Sequence, residues 1–187
     1  MRICQKKNKY PAFSIIEVMI ALFMFMVAIV TTVGFMNGEV WNSRDRRNEV
    51  SAGQLSQEGI ELVRNIRDNN WLQSKAAFTN IGDAVTTGDY VIDSATPTLQ
   101  AFTPGSGGNS VLYVSNATGL YTGSSANAKQ TVFNRKITVG ATVSHQKLIT
   151  SMVVWDGVVY PSKANCDVSA HCFYSEVTLS DDWGAVK

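Results

Sequence analysis

The chain has 187 residues, and its 16 Lys and Arg nearly balance its 15 Asp and Glu, for a formal net charge of +1. That length suits one ordinary domain with something added at one end. Nucleic acid is not an expected partner, because the chain beyond its first ten residues is mildly acidic and offers no basic stripe for DNA or RNA. The total conceals a cluster: Arg2, Lys6, Lys7 and Lys9 crowd the first ten residues without an acid. A chain cut after Ala12 would lose those four charges and pass from +1 to −3.

The first predicted element follows this basic segment. Phe13 to Phe35 is a run of 23 residues that is apolar apart from Ser14, Glu17, Thr31, Thr32 and Gly34. As a helix it spans about 35 Å at ~1.5 Å per residue, enough to cross a hydrocarbon core of about 30 Å. The basic residues ahead of it orient the span with residues 1–12 in the cytoplasm and everything beyond about Asn37 outside. An ordinary secretory signal would have a shorter apolar core and an A-x-A-like cut site after it. The sequence "TTVGFMNGEV" offers no such site, and Glu17 interrupts the start of such a core. A single-span anchor that stays uncleaved is the second alternative.

Glu17 needs an explanation, because an unpaired acid in hydrocarbon costs several kcal/mol. One reading is local: Ser14-x-x-Glu17 has capping-box spacing, with Pro11 upstream as a helix breaker. The other comes from the whole pattern of basic leader, Ala12, Phe13, Glu17 and then a long apolar run. "FSIIEVMIALFMFMVAIV" resembles the class III signal of type IV prepilins and pseudopilins. The resemblance implies cleavage between Ala12 and Phe13 by a membrane aspartyl prepilin peptidase, followed by N-methylation of Phe13. The family prefers glycine before the cut, where this chain has the small residue Ala12. It also implies a role for Glu17, whose carboxylate would neutralise the new α-amine of a neighbouring subunit in the core of a fibre. Such pairing would fix axial register, since a misplaced subunit leaves two charges unmatched.

Beyond the span, no proline occurs between Pro11 and Pro97, and the pattern predicts one helix from about Ser14 to about Gln73, on the order of 90 Å long. Ala52, Leu55, Gly59, Leu62 and Ile66 recur three and four residues apart, with Val63 beside them, so the second half is amphipathic. The polar stretch "NGEVWNSRDRRNEV" marks the exit from lipid, with Arg44, Arg46 and Arg47 most simply solvated or facing headgroups. Gly34 and Gly38 have G-x-x-x-G spacing at the end of the span, a weak dimerisation signal there.

After Lys75 the composition turns to Gly, Ser, Thr and Asn with short β-prone runs: "DYVID", "LQAFT", "VLYVS", "TVFNRKITVGATV", "KLITSMVVW", "VVY" and "SEVTLSDDW". Asp156-Gly157 between "MVVW" and "VVY" predicts a two-residue hairpin. Strands that follow a long helix without alternating helices argue for an antiparallel sheet in an α+β fold, covering the helix's apolar stripe. The expected organisation is a leader (1–12), a transmembrane and polymerisation helix (13–36), an amphipathic continuation (37–75) and an extracytoplasmic β-rich head (76–187). "PGSGGNS" and "TGSSANAKQ" read as exposed loops.

Of the three cysteines, Cys4 lies in the basic segment, while Cys166 and Cys172 lie near the C-terminus with five residues between them. If the head is exported, the latter two are the natural pair for a small disulfide-closed loop. Cys166, Asp167, His171 and Cys172 can also be drawn as metal ligands, though not at paired C-x-x-C spacing. Asp181-Asp182 before Trp183 is a solvated acidic turn or a calcium loop, and Asn116-Ala117-Thr118 matches a glycosylation sequon. No G-x-S-x-G, P-loop or H-E-x-x-H occurs. No catalytic residue, metal or cofactor is expected.

"LSQEGIELVRNIRDNNW", "KITVGATV", "ITSMVVWDG" and "SEVTLSDDW" narrow the resemblance, being similar to minor pilins of the type IV pilus modification group; residues 76–130 carry no part of it. The resemblance implies a pilin-like fold and a non-enzymatic minor pilin. Its partners would be other pilin subunits, the prepilin peptidase, the pilus assembly platform and, before assembly, membrane lipid. It would reside in the inner membrane and then in a fibre at the cell surface. Two alternatives remain: a pseudopilin of a type II secretion or DNA-uptake system, and an uncleaved membrane-tethered binding module that never polymerises.

Overall fold

The computed structural model describes residues 14–82, 87–104, 108–167 and 170–181, with backbone alone for 37–42. It is an α+β structure. One helix, α1 (Ile15–Leu72), precedes seven strands: β1 (Gly88–Ile92), β2 (Leu99–Ala101), β3 (Val111–Ser115), β4 (Tyr121–Thr122), β5 (Ala128–Val139), β6 (Gln146–Trp155) and β7 (Cys172–Ser180). The chain divides into two units, residues 1–44 and 45–187.

In the first unit the described residues from Ser14 to Met36 are exposed all round. Ile16, Phe23, Phe25, Val30 and Phe35 each leave about two thirds of their surface uncovered. Ile15–Met36 is long and apolar enough to cross a membrane, with a mean hydropathy of 2.5. A helix apolar on every face has no solvated side, and such a pattern suits lipid or a helical core.

In the second unit α1 lies on one face of an antiparallel sheet. β5 is its axis: β6 pairs along one edge and β7 pairs beyond β6. The other edge of β5 is shared, with β3 on its first part (Ala128 to Asn134) and β1 on its last (Ile137 to Val139). β4 and β2 extend those two short arms. Alternate side chains of β5 and β6 point to the helix. Phe133, Ile137, Val139, Ile149, Val153 and Trp155 join Ala52, Leu55 and Val63 in the core. The stripe read at three- and four-residue spacing is therefore the buried face, and both Ser56 and Gly59 fall inside it.

The helix and sheet come close together at Gly59. A Cβ there would lie 2.6 Å from Ser151 Oγ and 2.9 Å from Ile137 Cδ1. One turn earlier, Ser56 Oγ donates to the Ser151 carbonyl at 2.7 Å. Between these contacts Arg135 enters the core, only 3% exposed. Its guanidinium donates to the carbonyls of Leu55 (3.1 Å) and Ile92 (3.0 Å) and pairs with Glu58 at 3.4 Å. Burial pulls the Arg135 pKa down, and Glu58 opposes that shift.

The opposite face of β6 is buried as well. Met152, Val154 and Cys172 are covered by Tyr160 and Cys166 from the segment between β6 and β7. That segment corrects the hairpin reading of Asp156-Gly157. β6 ends at Trp155, and "VVY" forms no strand. The chain leaves the sheet through Asp156, at φ 58°, and crosses β6 before returning as β7. The turn chemistry is present, but Tyr160 packs over Met152 and Val154 instead of pairing as a strand. The short strand β4 is the strand that the sequence pattern missed.

Candidate functional site

The apolar stretch of α1 carries three polar side chains with hydrogen-bonding needs: Glu17, Thr31 and Thr32. Two of them are satisfied within the helix. Thr31 Oγ1 lies 3.0 Å from the carbonyls of Val27 and Ala28, and Thr32 Oγ1 donates to Ala28 at 2.7 Å. Such back-bonding is how hydroxyls are accommodated in a lipid-facing helix.

Glu17 has no such arrangement. It sits in the first turn, exposed, beside an apolar groove formed with Val18, Ala21, Leu22 and Phe25. The helix opens on the Ser14 carbonyl, which accepts from the N–H groups of Glu17 (3.0 Å) and Val18 (3.3 Å). These are backbone bonds. Among the described residues, no side-chain hydrogen bond of the capping-box kind joins Ser14 and Glu17, and the Glu17 carboxylate has no ion pair. Ala12 and Phe13, the expected cleavage and methylation positions, lie outside the described residues.

In the second unit, Cys166 and Cys172 form a disulfide with Cα atoms 5.0 Å apart. That pairing excludes the reading of both thiols as metal ligands. Asp167 instead accepts from the Ala170 N–H at 2.8 Å, closing the loop. Lys163, in the short 3-10 turn Lys163–Asn165, hydrogen-bonds Glu176 on β7, and Thr150 donates to the same carboxylate at 3.1 Å. The Lys163 contact holds Glu176 below the usual carboxylate range. The disulfide and this ion pair fasten the crossing segment at two points.

His145 and His171 are separated in use. His145 Nδ1 lies 3.0 Å from Asp181 at the β6–β7 turn. The His171 ring stacks on Trp155, with centroids 5.8 Å apart. It also converges with two carboxylates, Asp45 from α1 and Asp156 from the end of β6, and one ligand atom from each lies within 4.8 Å of the others. Sequence reasoning missed this trio. Its members share no motif spacing, and only the packing of α1 on the sheet brings Asp45 to the two turns. Asp182 and Trp183 lie outside the described residues. Asn116 of the sequon is exposed in the turn after β3, with Nδ2 3.4 Å from Asn127 Oδ1.

These features define an α+β protein with one N-terminal helix long and apolar enough to span a membrane, and a disulfide-closed loop in its sheet-bearing unit. No protein-family model, no curated protein and no solved structure matches the chain.

Proposed function

We propose that this chain is a minor pilin, a non-enzymatic subunit of a type IV pilus that enters the fibre through its N-terminal helix and modifies assembly or adhesion. The reading begins from the prepilin-like pattern of leader, Ala12, Phe13 and Glu17. The single observation that carries it further is the carboxylate of Glu17, which has no partner among the described residues, in a helix whose two other polar side chains are satisfied internally. A group left incomplete among the described residues, in an apolar setting, is one that a partner from outside can complete. The α-amine exposed at Phe13 by cleavage is a cation of the right charge, four residues away along the same pattern. Before assembly the same apolar surface holds the subunit in the inner membrane, with the disulfide-bearing head on the oxidising side.

Intact-mass analysis of the protein from its host membrane tests this directly. The expected mass lacks residues 1–12 and carries one added methyl on Phe13. A second arm replaces Glu17 with Ala and measures incorporation into filaments, which is expected to fall sharply while membrane insertion is retained. A full-length, unmethylated chain that functions normally would refute the proposal and favour the membrane-tethered module.

A further inference from the structure

We propose that Asp45, Asp156 and His171 form a binding site for a divalent transition cation of the zinc type. The three side chains arrive from separate parts of the second unit: α1, the turn that ends β6 and the turn that opens β7. Their ligand atoms lie within 4.8 Å of one another. A cation with bond lengths of about 2.0–2.2 Å to oxygen and nitrogen is reached from there by small side-chain rotations.

Two features separate this trio from an acidic patch. The first is the imidazole, whose ring is set by stacking on Trp155, itself 1% exposed. The backbone around it is tied as well: the His171 carbonyl accepts from the Trp155 N–H at 3.0 Å, and the disulfide begins at the next residue. The second is charge. Two carboxylates approach each other, and among the described residues neither has a hydrogen bond or an ion pair to a cationic side chain. The nearby Arg46 is directed to Glu49. A divalent ion would cancel both charges and join α1 to the two turns.

The donor set selects the ion. Calcium and magnesium seek six or more oxygens, and an imidazole serves them poorly. Two carboxylates with one neutral imidazole suit zinc and its first-row neighbours, with water completing the shell. The site differs from the Cys166, Asp167, His171, Cys172 grouping in the sequence, sharing only His171 with it.

The test is titration of the full chain in detergent micelles, disulfide intact, with Zn²⁺ as the probe and Ca²⁺ as the comparison. A Cys4→Ser background removes the leader thiol. One Zn²⁺ per chain should bind, with a rise in unfolding temperature and little response to Ca²⁺. His171→Ala and Asp45→Asn should each weaken binding at least about tenfold, while Glu61→Gln and His145→Ala should not. Circular dichroism of each variant without metal separates lost ligation from lost folding, and Asp156→Asn at its exposed turn supplies a ligand change with little structural risk. Absence of saturable binding at millimolar Zn²⁺ would overturn the proposal. So would binding that survives all three ligand changes, or binding that depends on His145.

Discussion

Two glycines on the same helix should respond in opposite ways to the same substitution. Ala in place of Gly in a helix interior gains about 1 kcal/mol from backbone entropy. At Gly53 nothing opposes that gain, because the nearest atoms to an added Cβ are those of the Phe173 ring at 3.6 Å, an ordinary contact. Gly53→Ala should therefore stabilise the protein by up to about 1 kcal/mol. At Gly59 the Cβ would stand 2.6 Å from Ser151 Oγ, 2.9 Å from Ile137 Cδ1 and 3.1 Å from Arg135 Cδ. All three belong to buried residues. Overpacking of this kind costs typically 1–3 kcal/mol, and relief by shifting the strand would strain the Ser56–Ser151 hydrogen bond, worth about 1 kcal/mol. The net expectation for Gly59→Ala is a loss of about 1–2 kcal/mol, or a fall of roughly 2–8 °C in unfolding temperature. Thermal and denaturant unfolding in micelles, followed by tryptophan fluorescence, would measure both variants. Adding Ser151→Ala to Gly59→Ala removes the nearest clashing atom and should recover part of the loss. If both glycine variants shift stability in the same direction, the close approach of α1 to β6 is wrong.

Two further expectations concern the crossing segment. Thiol titration of the unfolded full-length chain should find one reactive group, Cys4, before reduction and three after it; a chain processed after Ala12 should show none and then two. Opening this short loop should cost about 2 kcal/mol, the entropy expected for so few enclosed residues. The Lys163–Glu176 pair should add a pH dependence. Because Lys163 depresses the folded pKa of Glu176, its contribution is fully present above the unfolded value near ~4.3 and is lost as pH falls through the lower folded value. Lys163→Ala should flatten that part of the stability-versus-pH curve, and an unchanged acid limb would show that the pair contributes nothing.

Much of the architecture is legible in the residues because it follows from periodicity. The apolar run, the stripe from Ala52 to Ile66 and most strands are local patterns, and local patterns survive folding. What escapes is decided by distant contact. "VVY" has strand composition, yet Tyr160 is taken up as cover for Met152 and Val154. β4 is two residues long and exists because β3 offers it an edge. Alternation puts Arg135 on the inward face of β5 with Phe133 and Ile137, but no local pattern shows that Glu58 and two carbonyls far away in sequence receive its charge. The Asp45, Asp156 and His171 cluster is of the same kind, a product of packing with no sequence spacing to announce it.

Arg135 and Glu17 together show how this chain treats charge in apolar surroundings. A buried guanidinium left without partners would be strongly destabilising, and loss of one partner from a buried pair costs about 3–5 kcal/mol. The head answers that cost internally, with Glu58 and the Leu55 and Ile92 carbonyls gathered from two elements around one side chain. The threonines of the apolar helix are likewise completed from within. Glu17 is the exception: among the described residues there is no reciprocal cap with Ser14, and its neighbours in the groove are all apolar. Stability of the isolated subunit would favour a hydrophobic residue at this position. A position that is unfavourable alone and favourable only when a cation is supplied from another molecule makes assembly conditional on correct axial placement. That dependence is the physical core of the pilin proposal, and it is why replacing Glu17 should impair filament entry while leaving the fold of the head unchanged.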